Sequence, residues 1–218
     1  AVRPEERAQP ASRRTLSAFA ALVLLPTAAL AAQSTQPPQA PVAAQAATYD
    51  RCMNLAKTDP GAARDMAAKW AAQGGAHPAD HCYAVALIGL KQYKPAAQRL
   101  DKLAEAMLTV APDSLRAEVL DQAGQAWLLA GDATRAYNDA GAALALAPGD
   151  PDILIDRAEA AGEAGWFDKA VADLDIVLKA DPRRVDALIY RATANRALNK
   201  LDAALADGDA AVHLWPSS

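Results

Sequence analysis

Residues 151–182 read PDILIDRAEAAGEAGWFDKAVADLDIVLKADP, and this stretch decides the fold. Its apolar residues recur at helical spacing on either side of Gly165, predicting one helix over 152–164 and a second over 168–179. Gly165 falls where a helix end needs a left-handed residue, which glycine or asparagine adopts cheaply. Pro182 stops the second helix, because proline cannot continue one.

The same stretch recurs. Pro148, Pro182 and Pro216 are spaced by 34 residues, as are Ala136, Ala170 and Ala204. Leu120, Leu154 and Leu188 keep that step, as do Leu144, Leu178 and Val212. Gly131 and Gly165 follow it, with Asn199 in the third slot. Five columns in one register mark a repeated αα-hairpin. The small residues at Ala136, Ala170 and Ala204 let the paired helices approach closely.

Three units stand in this register: AEVLDQAGQAWLLAGDATRAYNDAGAALALAP, PDILIDRAEAAGEAGWFDKAVADLDIVLKADP and VDALIYRATANRALNKLDAALADGDAAVHLWP. Over residues 117–216 they resemble the tetratricopeptide repeat (TPR) family. The resemblance implies an all-α solenoid of αα-hairpins wound as a right-handed superhelix, in about five repeats. Arg157 and Arg191 depart from the family pattern, which is usually apolar there. Ala161 and Asn195 replace a first-helix aromatic that is kept as Trp127.

Residues 111–218 thus read as three repeats and 47–110 as two degenerate units. In the second unit Gln92-Tyr93-Lys94-Pro95-Ala96 aligns with Trp166-Phe167-Asp168-Lys169-Ala170, given a few extra residues before Pro112. In the first, Asp59-Pro60-Gly61-Ala62-Ala63 reads as the same turn. Five units give ten helices, stabilised mostly through neighbour contacts.

Composition agrees with helices. Hydrophobic residues make up 52% but aromatics only 5%, and 58 alanines fill the gap. Alanine is the best helix former, so the balance argues against a sandwich or barrel. Net charge is −4 with no long basic run, so a nucleic-acid footprint is not expected.

Residues 1–31 read as an N-terminal extension and a secretory signal peptide. Arg13 and Arg14 form the charged start, residues 16–25 the apolar run, and Ala29-Leu30-Ala31 the small-x-small cleavage pattern. The uninterrupted run is shorter than the ~20 residues that span a bilayer, so a stable membrane anchor is not expected. A Sec signal fits better than a twin-arginine one, because Ser17 stands where an apolar residue is wanted. Cleavage after Ala31 would place the protein in the periplasm. Residues 32–46 carry no charge and include Pro37, Pro38 and Pro41, which reads as a spacer.

Cys52 and Cys82 fall on the first helices of the first two units. First helices of neighbouring repeats pack side by side in the family, so the resemblance implies a disulfide between them. An exported chain commonly oxidises two cysteines. Closing that loop would stabilise the weak first units by roughly 3–4 kcal/mol. The rivals are a metal site joining His77 and His81 to the cysteines, and a redox pair, for which a C-x-x-C is missing.

No Gly-rich phosphate loop, G-x-S-x-G turn or H-E-x-x-H occurs, so neither an enzyme nor a cofactor is expected. The resemblance places a row of residues on the concave face: Glu118, Asp121, Gln122, Gln125, Asp152, Asp156, Glu159, Glu163, Asp186 and Tyr190. A groove of one sign favours a basic or neutral extended peptide, with ordinary solubility charge as the rival reading. The family's carboxylate clamp is not expected, because Gln125, Asp156, Glu159 and Tyr190 occupy its places. Trp70, Trp127 and Trp166 read as core. The last helix, read over 202–214, is expected to offer Val212, Leu214 and Trp215 as a contact surface, to a partner or a second copy. The expected function is a protein–protein interaction scaffold or adaptor in the cell envelope. The alternatives are an accessory subunit for a catalytic partner and, last, an enzyme itself.

Overall fold

A computed structural model describes residues 42–215. The stretch read as a signal peptide, the first part of the stretch read as a spacer, and Pro216 lie outside the described residues. Ten helices follow one another: α1 (Val42–Thr58), α2 (Pro60–Ala72), α3 (Ala76–Gly89), α4 (Tyr93–Ala106), α5 (Asp113–Leu129), α6 (Ala133–Leu146), α7 (Pro151–Glu163), α8 (Phe167–Ala180), α9 (Val185–Ala197) and α10 (Leu201–Leu214). Among the described residues there is no strand. No helix there is long and apolar enough to cross a membrane.

Each odd-numbered helix pairs with the next to form a hairpin, giving five units. Four of the five hairpins turn in the same way. Lys91, Gly131, Gly165 and Asn199 all have positive φ. The residue after each donates its N–H across the turn: Gln92 to the Leu87 carbonyl, Asp132 to Trp127, Trp166 to Ala161 and Lys200 to Asn195. The left-handed residue itself bonds to the carbonyl three back, as Gly165 does to Gly162 at 3.0 Å. This is a Schellman ending, which satisfies carbonyls that a helix C-terminus leaves open.

The first hairpin differs from that expectation. Only Asp59, at φ −145°, separates α1 from α2, and its carboxylate caps α2 by accepting from the Ala62 N–H at 2.9 Å. Pro60 fits the first helical position, where no N–H is needed. A second difference is the start of α1, which reaches back to Val42, into the stretch read as spacer. The last proline there is Pro41, and Val42-Ala43-Ala44-Gln45-Ala46 contains nothing that breaks a helix.

Two large apolar clusters occupy the second to fifth units, and two small ones lie between the first unit and α3. Ala136 and Ala170 are buried between paired helices, while Ala204 is half-buried. A Cβ added at Gly124 would stand 3.1 Å from the Ala136 carbonyl, so α5 and α6 lie nearly backbone to backbone. Trp70 and Trp127 are core residues. Trp166 is only half-buried, standing edge-on to Tyr137 with the Lys169 ammonium over its ring.

Arg157 and Arg191, the departures at apolar places, each make a staple between the helices of one hairpin. Arg157 donates to both carboxylate oxygens of Asp173 at 2.8 and 2.7 Å, and Arg191 to both of Asp207 at 2.9 and 2.7 Å. Both aspartates are buried. The same cross-hairpin position, sixteen residues apart in sequence, carries Tyr83 under the Arg99 guanidinium in the second unit. In the third unit it carries Ala123 opposite Asp139. Asp139 therefore has no arginine across its hairpin and faces Asp101 of α4 instead.

Candidate functional site

The first helices of successive units touch along one row, α1 with α3, α5 with α7 and α7 with α9. The second helices pack chiefly against first helices. Side chains bridge the row of first helices step by step.

At one end Tyr49 of α1, His81 of α3 and Gln122 of α5 form a hydrogen-bonded chain. The Tyr49 hydroxyl lies 2.7 Å from His81 Nδ1, and His81 Nε2 lies 2.7 Å from Gln122 Oε1. Gln122 Oε1 can only accept, so Nε2 donates to it. Burial, then the charges of Asp50 and Glu118, push the Tyr49 hydroxyl above its usual pKa. The disulfide sits directly behind this chain. Cys52 and Cys82 are bonded, fully buried, with Cα atoms 6.1 Å apart. This is the pairing implied by the resemblance. It removes both sulfurs as thiolate ligands, and the His81 ring nitrogens are already bonded, so the alternative metal site is not formed.

In the middle, the Gln125 side-chain amide of α5 donates to Asp156 of α7 at 2.6 Å and to Asp121 at 3.1 Å. Asp121 and Asp156 face each other across α5 and α7. Burial, followed by the Asp156 charge, pushes the Asp121 carboxyl up to about 7. Burial raises Asp156 as well. Tyr190 of α9 is pushed up to about 12 by burial and by the bond it donates to Glu159. Asp152 and Asp186 do not add free negative charge, because Arg184 binds both, at 2.5 and 2.8 Å. Glu163 is exposed at the end of α7.

Two cavities open along this row, and α5 lines both. One, of about 500 Å³, lies among α1, α3, α4 and α5. Met53, Leu103, Met107, Leu115 and Val119 make its apolar wall; Tyr49, His81, Glu118 and Gln122 edge it. The other, of about 340 Å³, lies between α5, α6 and α7 and includes Asp121, Gln125, Asp156, Glu159, Leu128 and Leu129. No lysine or arginine lines either cavity. Glu118, Asp121, Gln122, Gln125, Asp156 and Glu159 are thus brought together along one helix and its neighbour.

Sequence reasoning missed the apolar cavity. Met107 and Leu115 flank the extra residues between α4 and α5, where the 34-residue register is broken, so no column drew attention to them. His81 had been weighed only as a metal ligand. At the far end, Val212 and Trp215 are exposed, whereas Leu214 packs against the core of the last units.

No family model matches the chain, and no curated protein matches it in sequence. Solved structures do match. MamA (residues 41 to the end) from Desulfovibrio magneticus RS-1 is similar with a TM-score of 0.68 at 15% identity, covering 80% of this chain and 96% of that one. YrrB, described as a TPR protein with an unusual peptide-binding site, gives a TM-score of 0.62 at 17% identity, covering 76% and 86%. At such identities the likeness concerns the fold, and the fold is an αα-hairpin solenoid of the TPR type.

Proposed function

We propose that this chain is an exported protein–protein interaction scaffold that holds an extended, basic or neutral peptide segment along its row of first helices. The observation that carries the reading is the Asp121–Gln125–Asp156–Glu159 group, gathered at a cavity without a lysine or arginine to neutralise it. A concave face of one sign concentrates an oppositely charged partner. The peptide-binding site named for YrrB supports an extended peptide as the kind of partner. The test is capture of native partners with the wild type and with the double variant Asp156→Lys, Glu159→Lys. Loss of a basic partner with helicity retained supports the reading; unchanged capture returns these residues to solubility charge.

Export rests on the signal-like residues 13–31 and gains support from the oxidised cysteine pair, since disulfides persist in oxidising compartments. Intact mass of the protein isolated from its native cells should begin at Ala32; a mass retaining the apolar run would refute this. The exposed Val212 and Trp215 form a second candidate contact. Sedimentation of wild type and Trp215→Ala at several concentrations tests it; identical monomers with identical partner capture refute it.

A further inference from the structure

We infer that the cavity among α1, α3, α4 and α5 is a socket for one large apolar side chain of an extended peptide whose lysine or arginine, about four residues away, lies toward α7. The inference rests on the row of first helices being the partner-binding face and adds what the partner must present there.

The cavity has room and the right character. About 500 Å³ falls within the range of roughly 300–1,000 Å³ typical of ligand sites, enough for a large apolar side chain together with the peptide backbone that carries it. Its wall is methionine and aliphatic side chain, and Leu115 at the mouth is 45% exposed although its neighbour Val119 is buried. Methionine adapts its shape to varied occupants, and Met53 and Met107 stand among the wall residues. Three of the polar groups at its edge are matched to one another, Tyr49 to His81 and His81 to Gln122, while the Glu118 carboxylate also stands at that edge. An apolar occupant therefore leaves the Tyr49–His81–Gln122 chain intact.

Charge decides among occupants. Glu118 sits at the edge of the socket, and one and two turns further along α5 come Gln122 and Gln125, at i+4 and i+7. They form one stripe. That stripe leads from the socket to the Asp121–Asp156 pair, so α5 has the apolar cavity on its α3 side and the acidic one on its α7 side. The two centres are offset by about two turns along α5, roughly 10 Å, and by about one helix spacing across it, so they lie on the order of 13 Å apart. An extended strand advances roughly 3.3 Å per residue, so about four residues bridge them. A bare apolar ligand would leave the acidic half unused. A purely basic one would leave the socket empty.

The experiment selects binders from a displayed random peptide library on the immobilised full chain, then measures the best peptide by fluorescence titration. Wild type should enrich a large apolar residue with Lys or Arg about four positions away. Leu115→Glu should lower the affinity of that peptide by about tenfold or more and remove the apolar preference, while leaving the basic one. Met53→Gln, on the α1 wall, gives a second reading should Leu115→Glu disturb the fold. Asp156→Lys should do the converse, removing the basic preference and leaving the apolar one. Basic peptides without any apolar preference would overturn the socket and leave the proposed function standing; no selectable peptide would overturn both. Binding of palmitate alone, of a synthetic peptide of residues 16–25 alone, or a Leu115-dependent dimer without peptide binding would each assign the cavity to another occupant and overturn the inference.

Discussion

Replacing Asp173 by alanine removes one side of the staple in the fourth unit. Asp173 is 5% exposed and accepts two charge-assisted bonds from Arg157, from Nε at 2.8 Å and Nη2 at 2.7 Å. Removing one partner of a fully buried pair costs about 3–5 kcal/mol, because the other charge stays unpaired in a poor solvent. The Arg157 side chain keeps 24% of its surface in contact with water and lies 5.5 Å from the Tyr137 ring centre, so part of that cost is relieved. The expected loss is about 2–3 kcal/mol. For a chain of this size that lowers Tm by roughly 5–10 °C. The double change Arg157→Met, Asp173→Leu should recover to within about 1 kcal/mol of wild type, since an apolar pair replaces an ion pair that was costly to desolvate. Urea unfolding followed by helical circular dichroism gives both values. Hydrogen exchange should place the damage in α7 and α8 and leave α1 to α3 protected, because repeat units feel mainly their neighbours. A cost below about 0.5 kcal/mol for Asp173→Ala would class it with exposed surface changes and refute the argument. So would a double variant as unstable as the single one.

The third unit predicts a pH effect of defined sign. Burial, with the Asp101 charge next, pushes Asp139 up to about 7; Trp127 Nε1 donates to Asp101 at 3.0 Å, and Arg135 opposes the shift only in part. The folded pKa lies above the unfolded one, so the folded state holds the extra proton. Stability is therefore full below about pH 4 for this pair and falls as pH rises through 7. Asp139→Asn should be neutral near pH 4 and stabilise by about 1 kcal/mol at pH 8, a half-exposed pair being well screened; equal effects at both pH values would refute the raised carboxyl. Reducing the disulfide, or making Cys52→Ser with Cys82→Ser, should cost about 3 kcal/mol. The loss should concentrate in α1, whose buried residues are Cys52 and Ala56. Amides of α1 that remain protected after reduction would contradict this.

The hairpins were legible because their turn chemistry is local. Gly131, Gly165 and Asn199 occupy one slot, and one backbone geometry demands them. Lys91 in the second unit holds the same left-handed angle without being glycine or asparagine, so that turn could be found only by aligning its neighbours. The row on α5 and α7 was legible for the same reason, since helical spacing puts Asp121, Gln125, Asp156 and Glu159 on shared faces. What the sequence did not disclose depends on distances between helices. Ala123 opposite Asp139 looks unremarkable until α4 brings Asp101 alongside. Arg184 lies between two carboxylates that had been counted as free groove charge. The apolar cavity needs α1, α3, α4 and α5 at once, and the break in register before Pro112 hid it.

The central claim is that the row of first helices is the face that meets a partner. The most direct measurement places a photo-crosslinking amino acid at Gln125, on that row, and separately at Ile176 of α8, a second-helix residue that is 54% exposed. Both variants are illuminated in cells that make the protein. The account predicts discrete adducts to a partner from Gln125 and none from Ile176. Adducts from Ile176 with Gln125 silent would place recognition on the second helices and contradict it.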